Sequence, residues 1–224
     1  GDVYKRQFLG NPNNPDGTLL DKNHIRTIAS MLKDANSLLV IDESFIDFVG
    51  NDTLQDNEYS MRSLVNEFDN IIVVHSFTKF YAVPGLRIGA AFSNPLIIEQ
   101  LNSFIPTWSV NTLAQSYTEA ALNDVEYVKR TKQVLHEEQL FMYNSLDTID
   151  GITIYPPSAN FMLFHIEQEG ITAESINEAL KKYNMIVRNC DSYMGLNNQW
   201  VRVAIKDHDT NVKLVEKLTD ILKV

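Results

Sequence analysis

The chain has 224 residues, of which 44% are hydrophobic, and its formal net charge is −10. This length supports one sizeable core, or a domain with a smaller companion. The acidity, without a long basic run, argues against nucleic acid as a partner, and no apolar stretch approaches the ~20 residues of a membrane span. The single cysteine, Cys190, rules out a disulfide within the chain and is typical of the reducing cytoplasm. No signal peptide is visible.

A stiff turn follows Phe8–Gly10, where residues 11–17 read NPNNPDG. Two prolines and an Asp-Gly pair predict a rigid turn that cannot be helical. Such a turn is compatible with a purely structural role, in which it only separates two elements. It is equally compatible with a binding role, because an asparagine held at a fixed position could aim its amide at a ligand oxygen.

Helix and strand signals then alternate, which is typical of a βαβ unit. Asp21 is the expected N-cap of the first helix. Apolar runs predict two buried strands, and the first of them ends at Asp42. An acid at that place serves either as a cap or loop residue, or as a carboxylate that pairs with a ring nitrogen or a cation. The expected elements are a helix over 20–33, a strand over 38–41, a loop over 50–60, a short helix over 61–68, and strands over 71–74 and 88–92.

The stretch that follows the second buried strand, HSFTKFYAVPGLRIG at 75–89, carries the strongest chemical signal. Lys79 lies in a turn at the carboxyl end of this strand, where α/β proteins place their chemistry. An isolated loop lysine is usually a solvated surface charge. Here Ser76 and Thr78 add hydroxyl groups, and Arg87 adds a planar fork suited to phosphate. The combination favours a phosphorylated cofactor held covalently through the lysine.

The pattern of predicted strands and helices changes near residue 145, and a second, small α+β domain is expected from there. The predicted domains are therefore residues 1–145 and 146–224. Asp209 is the expected cap of the last helix. The expected elements are helices over 94–104, 112–122, 124–146, 172–183 and 209–222, and strands over 152–155, 160–166, 185–187 and 200–205.

Two arginines of the second domain stand out from their surroundings. Arg188 follows a predicted strand, and Arg202 lies inside the apolar run 201–205. An arginine within a strand usually faces solvent. If its face is covered, it needs an anion, because burying an unpaired charge is costly. A substrate carboxylate or phosphate would meet that need.

Three motifs carry a family resemblance: NPNNPDG at 11–17, VIDESF at 40–45 and SFTKFYAVPGLRIG at 76–89. Their order and spacing resemble the fold-type I enzymes that use pyridoxal 5′-phosphate. The resemblance extends from Phe8 to Leu222. It implies an aspartate aminotransferase-like α/β large domain with a mainly parallel sheet, here incomplete at its N-terminus, and a small C-terminal α+β domain. It also implies a homodimer and no metal.

The resemblance implies a role for each matching residue. Lys79 would bind the cofactor aldehyde, and Asp42 would pair with the pyridine nitrogen. Asn14 would donate to the cofactor's phenolic oxygen. The other roles are cofactor phosphate binding by Ser76, Thr78 and Arg87, binding of a substrate carboxylate by Arg202 and of a substrate phosphate by Arg188, and lining of the site by Asn111 and Asn160.

Two branches of the family remain as alternatives for the activity. One decarboxylates L-threonine O-3-phosphate to an aminopropanol phosphate used in cobalamin biosynthesis, and the other is an aminotransferase branch acting on histidinol phosphate. Phe45 stands where the aminotransferase branch usually has tyrosine, which favours the decarboxylase, and so does the run from Arg188 to Leu196. In both cases the substrate is a small phosphorylated molecule.

The family pattern is longer than this chain, and the missing part would lie before Phe8. We therefore expect a piece of a longer enzyme that holds half of a site. A third possibility is a non-enzymatic module that only senses the cofactor beside a DNA-binding unit. No basic or helix-turn-helix pattern in the sequence favours that interpretation.

Overall fold

The computed structural model describes residues 5–50 and 57–222. These residues form two compact units. The first contains the described residues up to Asn13 together with Leu19–Lys129, and the second contains Asn14–Thr18 and the described residues from Arg130 onward. The division falls inside one continuous helix, so the domain boundary near residue 145 stays a prediction.

The first unit is built on a four-stranded sheet in the order β1–β2–β3–β4. The first three strands are parallel, and β4 runs antiparallel to β3. The predicted mainly parallel α/β sheet is thus confirmed. Its strands are β1 (Arg6–Gly10), β2 (Leu38–Asp42), β3 (Ile71–Ser76) and β4 (Gly89–Phe92).

Two helices of this unit begin at capping side chains, and the first of these caps is the predicted Asp21. Asp21 accepts hydrogen bonds from two backbone N–H groups of the first turn of α1, and Asn94 accepts one from Ile97. The expected helix over 61–68 is a shorter 3-10 helix, Met61–Asn66. The other helices are α1 (Lys22–Asp34), a 3-10 turn at Ile46–Phe48, α2 (Pro95–Phe104), α3 (Thr112–Asn123) and α4 (Val125–Leu146), which continues into the second unit.

The core of the first unit lies on one face of the sheet. There α1 and the Met61–Asn66 helix pack against alternate residues of β2 and β3, because side chains on a strand alternate between faces. Phe8, on the opposite face, is 67% exposed. The buried cluster consists of Ile25, Ala29, Leu39, Ile41, Met61, Leu64, Ile71 and Val73.

The second unit contains an antiparallel sheet in the order β5–β6–β8–β7. The central strand β6 is almost wholly buried. This arrangement agrees with the predicted α+β character. The elements are β5 (Ile152–Tyr155), β6 (Phe161–Ile166), α5 (Ala173–Lys181), β7 (Arg188–Asn189), β8 (Trp200–Ala204) and α6 (His208–Leu222).

The strand expected over 185–187 is wrong. The Asn177 side chain occupies both backbone groups of Val187, accepting from its N–H at 2.8 Å and donating to its carbonyl at 3.0 Å. Strand pairing with β8 therefore starts only at Arg188.

The expected cap of the last helix is also wrong by two residues. Asp207, not Asp209, accepts the N–H of Thr210 at 3.0 Å, and Asp209 lies in the first turn of α6. Most of the loop expected over 50–60 falls outside the described residues. Of the helices in the described ranges, none combines the length and the apolar character needed to span a membrane.

Candidate active site

The carboxyl ends of the parallel strands share one edge of the first unit's sheet. Gly10 pairs with Asp42, Asp42 pairs with Val74, and β3 then ends at Ser76. Open α/β sheets bind ligands along this edge. The structure thus places two of the predicted site residues, Asp42 and Ser76, at the edge where the fold expects a ligand.

The Asp42 carboxylate is exposed and held in a fixed orientation. Its Oδ1 accepts the Ser44 N–H at 2.8 Å and also the Ser44 hydroxyl. Because a carboxylate has about four acceptor positions, it keeps capacity for a further donor. A protonated ring nitrogen is a suitable one.

Lys79 lies in the turn after β3 and is exposed. Backbone hydrogen bonds shape this turn, including Val83 N–H to the Thr78 carbonyl at 2.9 Å and Ala82 N–H to the Lys79 carbonyl at 3.2 Å. The Lys79 Nζ lies 4.5 Å from the centre of the Phe45 ring. A cation over a ring face is attracted by that face. The Phe45 ring therefore restricts the positions that the Lys79 amine takes.

Hydroxyl groups precede the lysine in the chain, and a guanidinium follows it in the same loop region. The Ser76 and Thr78 oxygens are 2.8 Å apart and share one hydrogen bond. Arg87 has a positive φ of 55° and donates from Nη1 to the Pro84 carbonyl at 2.9 Å. Arginine carries five N–H donors, so this contact leaves most of the fork for a phosphate.

The Asn111 side chain has a structural role in this unit. Its Oδ1 accepts the Ala114 N–H at 2.9 Å as the cap of α3, and its Nδ2 donates to the Leu86 carbonyl at 3.2 Å. The side chain therefore ties α3 to the residue before Arg87. Lining of the site by Asn111 stays a prediction.

The two ends of the NPNNPDG turn behave differently. Asn11 is fully buried, and its amide bonds both the N–H and the carbonyl of Leu20, at 2.8 and 3.2 Å. Asn11 therefore has a structural role, because its hydrogen bonds close the turn. Asn14, in the second unit, accepts at Oδ1 from the Tyr193 hydroxyl at 3.1 Å and from Arg202. Since the Asn14 oxygen accepts both of these hydrogen bonds, the amide nitrogen is the group that can serve a ligand, and it can only donate.

Arg188 and Arg202 face each other as a register pair across β7 and β8. Arg202 is half-buried, and its guanidinium lies 5.2 Å from the Phe161 ring centre. Arg188 is exposed, donates to the Ser192 hydroxyl at 3.0 Å and lies 5.9 Å from the Tyr193 ring centre. The hydrogen-bond partners of both arginines, Ser192 and Asn14, are neutral, so the two positive charges favour anionic ligands.

Asn160 carries a buried side-chain oxygen with no hydrogen-bond partner among the described residues. Its backbone carbonyl accepts the N–H of Ile205 at 2.9 Å, which fixes the residue beside the end of β8. Buried polar atoms are nearly always paired in folded proteins. An orphaned acceptor fits a ligand that donates to it.

The sequence did not single out several polar side chains that shape these sites. Tyr193 supports both Asn14 and Arg188. His75 and Asp47 form a buried pair with a distance of 2.8 Å between Nε2 and Oδ2. A histidine in an otherwise apolar strand is the one local signal that could have pointed to this pair.

Glu43, the residue after Asp42, is 1% exposed and accepts from the Ser60 hydroxyl and the Met61 N–H. Burial raises the pKa of the Glu43 carboxyl above its ordinary 4.5, although these hydrogen bonds oppose the effect. A raised pKa means that the folded protein holds the proton more tightly than the unfolded chain. Its contribution to stability is complete below the unfolded pKa and is lost as pH rises through the folded pKa.

Glu43→Gln should therefore gain stability relative to the natural protein as pH rises above 4.5. Urea unfolding followed by circular dichroism at pH 5 and pH 8 measures the difference in unfolding free energy. Glu67→Gln is the control, because Arg26 lowers the pKa of the Glu67 carboxyl. Both the folded and the unfolded carboxyl are then ionised over most of the range from pH 5 to pH 8, so the effect of Glu67→Gln on the unfolding free energy should change little. An equal difference at both pH values for Glu43→Gln would contradict the prediction.

The chain combines a mainly parallel sheet, which has a lysine-bearing turn at its carboxyl edge, with a second unit of α+β character. These features define the class as the fold-type I proteins that use pyridoxal 5′-phosphate. The family model for aminotransferase class I and II matches residues 5–218. The chain belongs to the aminotransferase class I and II family.

Individual relatives agree with this assignment. The threonine-phosphate decarboxylase of Salmonella typhimurium is 34% identical over 96% of this chain and 57% of its own length. The histidinol-phosphate aminotransferase of Methanosphaera stadtmanae is 32% identical over 99% of this chain and 58% of its own length. The crystal structure of the histidinol-phosphate aminotransferase from Clostridium acetobutylicum has a TM-score of 0.90 and 27% identity, and it covers 98% of this chain and 64% of that chain. The chain thus spans little more than half the length of these curated relatives.

Pyridoxal 5′-phosphate is the cofactor of this family. The described residues fit it in chemical type. The first unit offers an exposed amine at Lys79, an oriented carboxylate at Asp42, and a guanidinium with hydroxyls at Arg87, Ser76 and Thr78. The second unit offers Asn14 as a donor.

Proposed function

We propose that the full-length protein catalyses the pyridoxal-phosphate-dependent decarboxylation of L-threonine O-3-phosphate to (R)-1-aminopropan-2-yl phosphate in cobalamin biosynthesis. The observation that carries this proposal is the register pair Arg188–Arg202, whose hydrogen-bond partners are neutral. A substrate with both a carboxylate and a phosphate needs two such cations. A cytoplasmic homodimer is part of the same proposal.

The residues of the first unit hold the cofactor. Lys79 supplies the amine that binds it covalently, and the Asp42 carboxylate keeps a proton on the pyridine nitrogen. Ser76, Thr78 and Arg87 bind its phosphate. When bound, the cofactor supplies an electron sink for the pair left behind as a bond at the substrate Cα breaks.

The residues of the second unit orient the substrate and the cofactor oxygen. Asn14 donates to the phenolic oxygen, while Arg202 and its partner Arg188 bind carboxylate and phosphate. By fixing where the two anions lie, the arginines would decide whether the bond from the substrate Cα to the carboxylate or the bond to hydrogen is the one that breaks.

The second candidate is an aminotransferase that acts on histidinol phosphate. It is supported by the relatives from Methanosphaera stadtmanae and Clostridium acetobutylicum, whose names carry that activity. The same lysine, carboxylate and phosphate-binding groups serve both reactions. Phe45, in place of the tyrosine usual in that branch, favours the decarboxylase.

Incubation of the gene's full-length product with the cofactor and O-phosphothreonine, followed by mass spectrometry, tests the proposal. Loss of carbon dioxide with the amine retained supports the decarboxylase. Retention of the carboxylate with conversion of amine to ketone, in the presence of an oxo-acid acceptor, supports the aminotransferase instead.

Phe45→Tyr should lower the pH midpoint of the absorbance change of the bound cofactor. Tyrosine adds a hydroxyl that can donate to the phenolic oxygen, whereas phenylalanine leaves that oxygen to Asn14. Absorbance titration of the full-length holoprotein measures the midpoint. Phe104→Tyr, at an 84% exposed position in α2, is the control. An unmoved midpoint in Phe45→Tyr would remove the electronic role assigned to this position.

A further inference from the structure

A buried polar pair includes His75, which comes four residues before Lys79 in the chain. The Nε2 atom of His75 lies 2.8 Å from Oδ2 of Asp47, and the two side chains are 4% and 5% exposed. His75 is the residue before Ser76 at the end of β3, and Asp47 lies in the 3-10 turn Ile46–Phe48 that follows β2. The bond therefore joins the two segments that extend beyond the carboxyl ends of neighbouring strands.

Each end of this bond is anchored in the backbone. His75 pairs with Ala90 of β4, and a Cβ added to Gly89 would lie 2.5 Å from the His75 carbonyl oxygen. That spacing shows how closely β4 approaches. On the other side, Asn57 donates to the Ile46 carbonyl at 3.0 Å. The pair thus adds a side-chain link between two segments that are each held by backbone contacts.

Each of these two segments carries one side chain of the contact between the Phe45 ring and the Lys79 amine. Phe45 immediately precedes the 3-10 turn, and its carbonyl accepts the Phe48 N–H at 3.2 Å. Lys79 comes four residues after His75. The contact of 4.5 Å between the Phe45 ring centre and Nζ is therefore made between the segments that the His75–Asp47 bond joins.

We propose that His75 and Asp47 are positioning residues that hold the Phe45 ring against the Lys79 amine and thereby set how fast this amine captures an aldehyde. The inference rests on the role of Lys79 in the proposed function. In the capture step the lysine nitrogen bonds to the aldehyde carbon, and the carbonyl oxygen leaves as water with two protons of the amine. A free lysine side chain samples many rotamers. A ring face that restricts them keeps the nitrogen near its attacking position.

The test measures the rate at which the full-length apo-protein forms its adduct with pyridoxal 5′-phosphate, by stopped-flow absorbance. Borohydride reduction and mass spectrometry then assign the adduct to Lys79. His75→Asn, whose amide is too short to replace Nε2, should slow capture by about fivefold. His75→Gln, whose amide nitrogen reaches the place of Nε2, should stay close to the natural rate.

The control is Asn70→Ala, at the opposite end of the same strand. Asn70 is buried and donates to the carbonyls of Ala29 and Ser37, so its loss weakens β3 without touching the pair. If Asn70→Ala slows capture as much as His75→Asn does, a general loss of stability explains the effect and the inference is overturned.

A double-mutant cycle with Phe45→Leu shows whether the pair acts through the ring. The effect of His75→Asn should disappear in the Phe45→Leu background, and an undiminished effect would overturn the inference. Should His75→Asn not fold, Asp47→Asn takes its place in the cycle. An adduct at Lys79 that forms at equal rates in all variants refutes the positioning role alone. Absence of an adduct at Lys79 in the natural protein refutes the proposed function, and the inference with it.

Discussion

Lys79→Ala in the full-length protein is expected to abolish covalent capture of pyridoxal 5′-phosphate and to lower turnover of O-phosphothreonine by about a thousandfold or more. The amine of Lys79 is exposed at the carboxyl edge of the sheet, in a turn whose shape is set by backbone hydrogen bonds. Truncation of its side chain therefore removes the nucleophile with little cost to the fold. Borohydride reduction, peptide mass spectrometry and a carbon dioxide assay measure the two losses.

Lys33→Ala is the matched control for this variant. Lys33 is another exposed lysine of the first unit, and it pairs with Asp69 at 2.8 Å on the surface. Surface pairs of this kind contribute little to stability. We expect Lys33→Ala to keep both the adduct and the turnover. Persistence of turnover in Lys79→Ala, with the adduct at another lysine, would transfer the catalytic role away from residue 79.

Where the sequence predicted elements well, the signals were local. The start of α2 follows from the cap Asn94 and from Pro95 at the first turn, and β5 ends at the residue before Pro156. Such signals act within a few residues, so a pattern along the chain contains them. Similarly, three parallel strand ends place Asp42 and Ser76 at one edge, as the βαβ pattern indicates.

In two places where the sequence failed, a side chain outside the local pattern decided the outcome. The strand expected over 185–187 is prevented by Asn177, which is ten residues away and takes both backbone groups of Val187. His75 and Asp47 are separated by 28 positions. No periodicity in one sequence shows that two such side chains will meet, because their contact depends on the packing of the whole unit.

The candidate site shows the same division. The residue types and their order predict a lysine, an acid and phosphate-binding groups, and the structure supplies what each of them touches. The partner of Arg202 is an example, since the sequence left open whether this arginine faces solvent or an anion. It is half-buried and bonded to Asn14, whose oxygen is neutral. This hydrogen bond does not neutralise the charge of Arg202, and binding of a substrate anion by Arg202 stays a prediction.

The second large effect is expected at the arginine pair. Arg202→Gln should lower kcat/KM for O-phosphothreonine by about a hundredfold, because a partly buried charge-assisted contact is lost. Arg202→Lys should recover only part of this, since lysine keeps the charge but not the planar fork. Steady-state kinetics of the full-length enzyme, with Lys206→Gln at an exposed position just after β8 as the control, measure these changes.

The two arginines can be assigned separately by comparing O-phosphothreonine with threonine. If Arg188 binds the phosphate, Arg188→Gln should reduce the preference for the phosphorylated substrate, while the rate with threonine changes little. If Arg202 binds the carboxylate, Arg202→Gln should slow both substrates by a similar factor, because both carry that group. The opposite pattern would exchange the two roles. An equal, small effect of both variants would show that the register pair across β7 and β8 does not select the substrate, and the decarboxylase proposal would lose the observation that carries it.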